Sequence, residues 1–150
     1  MKNNFAEIYT KKRALEARFR AAQEQHDEAA VAQARCEHKA LEAQVQEAGP
    51  AYARLYRLYV SAMERGNAYI DLSEVHDYCD EAALISDMRA YGIDKFTLSS
   101  GWSSAIESAW RFTQNGCMLE GMIEINDGCR DFTTGACEKC GALLFRVQEG

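Results

Sequence analysis

From Asn4 to Glu47 the chain holds neither Pro nor Gly, and Ala, Glu, Gln, Arg and Lys dominate, the residues that lose least on entering a helix. This pattern predicts one long helix, which at 1.5 Å per residue would extend roughly 65 Å. Large apolar groups recur at helical spacing near its start (Phe5, Ile8, Leu15, Phe19) and near its end (Leu41, Val45), with mostly alanine between. A heptad frame of Ile8, Leu15, Ala22, Ala29, Cys36 and Ala43 can be drawn through it, but an alanine seam is too weak to hold a long coiled coil by itself. The expected uses are a homodimer through this helix or its presentation to another protein. Gly49 and Pro50 end it, and Pro50 opens a second helix to Arg65 with Tyr52, Leu55, Tyr56, Tyr59 and Met63 on one stripe. The short link predicts an antiparallel helical hairpin.

Beyond Gly66 the pattern changes. A short apolar turn (Ala68, Tyr69, Ile70) leads to Ser73, which can cap a helix carrying Val75, Cys79, Ala82, Ile85 and Met88 and ending at Gly92. Lys95–Ser99 alternates as a strand, with Phe96 and Leu98 on one face. Ser104 and Glu107 have capping-box spacing for a helix over 105–114. Cys117–Ile125 reads as a strand with Leu119, Ile123 and Ile125 on one face and Glu120, Met122 and Glu124 on the other. A last strand over 142–148 turns Leu143, Phe145 and Val147 inward. The predicted fold is α+β: a long N-terminal helical hairpin over 1–66, then a helix and a small antiparallel β-α-β-β sheet domain over 67–150.

Charge divides the chain at the same place. The whole carries a net charge of -6, but residues 1–66 hold 11 Lys/Arg against 9 Asp/Glu, or +2, and residues 67–150 hold 6 against 14, or -8. An acidic domain repels nucleic acid, since phosphate binding needs clustered cations to displace counterions. Its company is expected to be positively charged: a basic, nucleic-acid-handling protein facing Asp71, Glu74, Asp77, Asp80, Glu81, Asp87, Glu120, Glu124 and Asp127. The alternative is a zinc-stabilised regulator that touches phosphate through Lys11, Lys12, Arg13, Arg18 and Arg20 on the first helix. No run approaches the roughly 20 apolar residues of a membrane span. The charged N-terminus points to the cytoplasm, where the six cysteines are expected to be thiols or metal ligands rather than disulfides.

Cys137-Glu-Lys-Cys140-Gly141 is the sharpest local signal, because two cysteines at this spacing on a turn can face one tetrahedral zinc. It is half a site, and Cys129 is the nearest candidate for a further ligand; the long connection over 127–141 would be ordered by such a metal. The pair His76 and Cys79 and the thiol of Cys117 are further candidates. For catalysis there is little: no glycine-rich phosphate loop, no HExxH, no Gly-x-Ser-x-Gly, and three histidines, of which His26 and His38 lie on the first helix. The expectation is a protein that is not an enzyme. The Ser99–Ser104 run could offer N–H groups to an anion, but helix capping is its plainer use.

The segments FTLSS, WSSAIESAW and GCMLEGMIEIN, with the closing ALLFRV, resemble a family of small proteins of unknown function carried by plasmids, phages and conjugative elements of gut Firmicutes. The similarity spans about residues 88–147, and Cys137 and Cys140 stand outside its pattern. The resemblance implies a mobile-element accessory protein acting by contact, of the kind that includes anti-CRISPR and anti-restriction inhibitors.

Overall fold

A computed structural model describes residues 3–73, 80–99 and 105–149. The chain forms two compact units, Asn3–Tyr56 and Arg57–Gly150.

The first unit corrects the expectation of one long helix. It contains α1 (Phe5–Glu24), α2 (Glu28–Glu47) and the opening turns of α3 (Pro50–Arg65), and α1 packs against α2. The break is a left-handed residue, His26, with φ 54°. The His26 N–H donates to the Gln23 carbonyl and the Asp27 N–H reaches back to Ala22 at 2.9 Å, a C-terminal cap normally built on glycine. Asp27 then starts α2, its carboxylate accepting from the Ala30 N–H at 3.1 Å. Turning back lets α1 and α2 share an apolar seam that one straight helix would leave wet. Leu15 and Ala22 of α1 and Ala34 and Val45 of α2 are buried. The heptad frame fails at the turn: Ile8, Leu15 and Ala22 are buried, whereas Ala29, Cys36 and Ala43 are exposed. Phe5 closes the unit, its ring 4.9 Å from that of Tyr52 and 5.9 Å from that of Tyr56.

The second unit is the α+β domain: β1 (Ile70–Asp71), α4 (Glu81–Ala90), β2 (Lys95–Leu98), α5 (Ala105–Gln114), β3 (Cys117–Arg130) and β4 (Cys137–Val147). The sheet order is β1-β2-β4-β3, so β3 is an edge strand. The β2–β4–β3 part is antiparallel as predicted, but the residues expected as an apolar turn add β1 parallel to β2, making the sheet mixed. Two residues are too few to show a period of two, which is why β1 was illegible. Asp80, not Ser73, caps α4, accepting from the N–H groups of Ala82 and Ala83 at 2.9 and 3.3 Å. Ser104, Trp102, His76 and Cys79 lie outside the described residues.

The core of this unit is three phenylalanines. Phe96 and Phe145 stack at 5.3 Å, and Phe112 from α5 stands edge-on to both at 5.0 and 5.6 Å. Leu84, Ile85 and Met88 of α4 are fully buried, and α4 contacts both α5 and β4.

Two local devices fix β3. The register runs from Leu119↔Phe145 directly to Gly121↔Leu144, which leaves Glu120 as a bulge, with Gly121 at φ +144°. The extra residue exchanges the faces. Leu119 now shares a face with Met122 and Glu124, while Ile123 and Ile125 turn to the other, correcting the alternation read from sequence. Further along, the Asn67 side chain occupies the outer edge of the strand. Its amide donates to the Asn126 carbonyl at 3.0 Å, and its carbonyl oxygen accepts from the Asn126 N–H at 2.9 Å. The Asn126 amide in turn donates to the last carbonyl of α3, on Arg65, at 2.7 Å.

Candidate interaction surface

Helix α5 has two of its sides occupied. Ser108 and Phe112 face the core, and Arg111 reaches Glu81 of α4 at 3.4 Å and Glu107 at 2.6 Å. At 100° per residue Ile106 and Trp110 fall on the outer face of α5, opposite the core-facing Ser108 and Phe112. They are 82% and 60% exposed. α5 also contacts β3, and the register puts Leu119 and Met122 on the sheet face that holds Phe145, the face α5 covers. Leu119 is 48% and Met122 71% exposed. The outer face of α5 and the edge strand β3 thus each expose large apolar groups, with Glu124 next along the β3 face. Large apolar side chains clustered in this way mark interaction sites more often than chance exposure does. Sequence reasoning missed this surface because its alternation was drawn without the bulge, which is what brings Met122 beside Leu119.

The predicted acidic face is not brought together. Asp71 accepts from the hydroxyls of Thr97 and Ser99 at 2.7 and 2.6 Å. Asp80 caps α4, and Glu81 is buried against Arg111. Glu120 is clasped by Lys95 at 3.1 Å and Arg146 at 2.5 Å; the Lys95 hydrogen bond, then the Arg146 charge, hold its carboxyl below the ordinary value. Asp87 is half-buried on α4, Glu124 is exposed, and Glu74 and Asp77 lie outside the described residues. Asp71, Asp80, Glu81 and Glu120 thus serve structure, while Glu124 stays exposed on β3 and Asp127 shares the surroundings of Cys140 with Asp71.

The cations of the first helix are also engaged. Lys11 pairs with Glu7 at 3.1 Å, Lys12 with Glu16 at 2.6 Å, Arg13 with Glu16 at 3.9 Å and Arg18 with Glu37 at 2.6 Å, while Arg20 is exposed. A groove of about 500 Å³ along α1 and α2, lined in part by Leu15, Phe19, Arg35 and His38, mixes both signs of charge. It offers no clear preference for a polyanion.

The cysteines do not form the predicted knuckle. Cys137 and Cys140 both lie in β4, where a separation of three turns their side chains to opposite faces. The connection expected to need a metal is instead strand on both sides of a tight tip. There the Asp131 carboxylate accepts from the N–H groups of Thr133 and Thr134 at 2.7 and 3.0 Å, which also lowers its pKa. What does converge is Asp127, Cys129 and Glu138, whose donor atoms lie within 4.8 Å of one another at the rim. The set would suit a zinc-like divalent ion.

Cys117 is buried at the start of β3, and burial pushes its thiol from 9.0 up to about 11. Two outcomes are expected. In the native protein exposed Cys36 and Cys129 react with a thiol reagent while Cys117 does not. Between pH 9 and 11 the unfolded chain loses this proton and the folded chain keeps it, so stability falls as pH rises through that window. Denaturant titrations at pH 8 and pH 10.5 would show that fall in the wild type and a smaller one in Cys117→Ala; equal falls would contradict the assignment.

Among the described residues no helix is long and apolar enough to cross a membrane. The domain defined by these features is a four-stranded α+β unit with an exposed apolar edge strand and a Phe96–Phe112–Phe145 core. The chain belongs to the family described as a domain of unknown function (DUF7698), whose model matches residues 54–147. No curated protein and no solved structure matches the chain.

Proposed function

We propose that the chain works by protein–protein contact rather than catalysis, and that the contact is made through the exposed apolar groups of α5 and of the β3 edge. The observation that carries this reading is the exposure of Ile106 and Trp110 on α5 and of Leu119 and Met122 on β3 above a well-packed core. An exposed tryptophan that becomes buried on association is a frequent centre of binding energy at an interface. The partner is a basic protein, on the strength of the -8 balance of residues 67–150. The narrower reading, a mobile-element accessory protein that inhibits a nucleic-acid-targeting defence of the anti-CRISPR or anti-restriction type, is supported by the resemblance over residues 88–147 alone. A zinc-stabilised nucleic-acid-binding regulator has less support, since four of its five proposed cations are paired with carboxylates.

The test compares what the tagged full chain recovers from cells with what Ile106→Ser/Trp110→Ala recovers. Both replaced side chains are exposed, so the variant is expected to keep its fold by circular dichroism and lose the partner. Recovery of the same partner by both forms would remove the reading.

A further inference from the structure

The reading above leaves open how a partner is held, and the backbone of β3 answers it. The Gln148 N–H donates across the ladder to the Gly116 carbonyl at 2.9 Å, which makes Cys117↔Val147 a pair whose own N–H and C=O groups point away from β4. At the far end the Asn126 N–H and C=O also point away, because the Asn67 side chain takes both. Alternation inward from either end, with Glu120 as the extra residue, gives the same result: Leu119, Met122 and Glu124 present their N–H and C=O groups to the open side. Among the described residues none of these groups has a partner. The same three residues place their side chains on one face of the sheet, where Leu119 and Met122 are exposed. Backbone groups ready for a strand and apolar groups ready for its side chains therefore lie along one line.

We infer that the outer edge of β3 from Leu119 to Glu124 is a docking site for an extended segment of a partner protein, which adds to the sheet as a fifth strand. This rests on the contact reading of the same surface. The segment carries apolar residues at alternate positions, to lie over Leu119 and Met122, followed by Lys or Arg to meet Glu124. Asn67 shows the mode in miniature, since its carboxamide copies a peptide unit and makes both strand bonds to Asn126. Charge decides against a second copy of this chain. Two β3 edges paired antiparallel over this stretch would bring Glu124 and Asp127 of both copies to one seam, and like charges across a ladder repel. The bulge at Glu120 also interrupts any long regular ladder between copies.

The experiment selects a displayed library of short random peptides on the immobilised full chain. The best binder is then titrated against the wild type and the variants Met122→Lys and Glu124→Lys, with amide and tryptophan side-chain NMR shifts mapping where it sits. Winners are expected to alternate apolar residues and end in Lys or Arg, and to shift Leu119–Glu124. Methylating alternate backbone nitrogens of the peptide should weaken binding about tenfold or more, because the lost donors are the strand bonds. Glu124→Lys should reverse the preference from a Lys-ended to a Glu-ended peptide. Binding at the same residues that survives backbone methylation would overturn strand addition while leaving the contact surface standing. Winners that shift residues elsewhere, or no enrichment at all, would overturn both. Concentration-dependent dimers abolished by Met122→Lys would overturn the choice of partner in favour of a second copy.

Discussion

Phe145→Ala is expected to cost about 3–5 kcal/mol, the range for deleting a buried aromatic ring from a core that cannot collapse around the gap. The ring is fully buried, stacked on Phe96 at 5.3 Å and met edge-on by Phe112 at 5.6 Å. Removing it therefore unseats α5 as well as the sheet, because Phe112 is the side chain that fastens α5 to this face. A loss of this size is a large share of the roughly 5–15 kcal/mol that stabilises an ordinary domain. Phe132→Ala provides the contrast: this phenylalanine, at the β3–β4 tip, is wholly exposed, and its removal should change stability by no more than about 0.5 kcal/mol. Urea unfolding followed by far-ultraviolet circular dichroism measures both. A cost below about 1 kcal/mol for Phe145→Ala would mean that the three rings are not the core of the unit.

The second large effect is expected at Asn67, a buried polar residue whose side chain ties the end of α3 to β3. Asn67→Ala removes the donor to the Asn126 carbonyl and the acceptor of the Asn126 N–H together. A buried polar group left without a partner costs about 1–3 kcal/mol, so roughly 2–3 kcal/mol is expected for the pair, allowing for water reaching one of them. Asn67→Asp keeps the acceptor and loses the donor, and should fall between the two forms. A loss under about 0.5 kcal/mol for Asn67→Ala would show that the edge of β3 at Asn126 is held by something else. The same variant frees the edge at that residue, so exchange of the Asn126 amide should quicken even where global stability is corrected for.

The sequence carried the outline of this fold through periodicity, and it failed wherever one residue changed the phase. The stripe from Tyr52 to Tyr56 on α3 and the alternation over Lys95–Leu98 were strong enough to place their elements. The break between α1 and α2 was not legible, because the left-handed turn is made by His26, where a glycine would have announced it. Asp27 ahead of an alanine run was the available signal, being a helix-starting residue three positions before the N–H it caps. On β3 the bulge at Glu120 reversed every side chain after it, so a reading by strict alternation buried Leu119 with Ile123 and set Met122 apart. That single residue separates the acidic-face expectation from the apolar edge. The charge imbalance was read correctly as a sum, but formal charge does not reveal that Asp71, Asp80, Glu81 and Glu120 are spent on hydroxyls, a helix start and ion pairs. The CxxC spacing misled for a related reason: it signals a metal knuckle only on a turn, and here it lies within a strand.

Amide hydrogen exchange on the free and partner-bound chain tests the contact surface most directly. In the free chain Met122 and Glu124 should exchange quickly beside a protected Asn126, and binding of the recovered partner should slow the first two and leave the helices α1 and α2 unchanged. Protection that arises on α1 and α2 instead, with Leu119–Glu124 exchanging as before, would contradict the account.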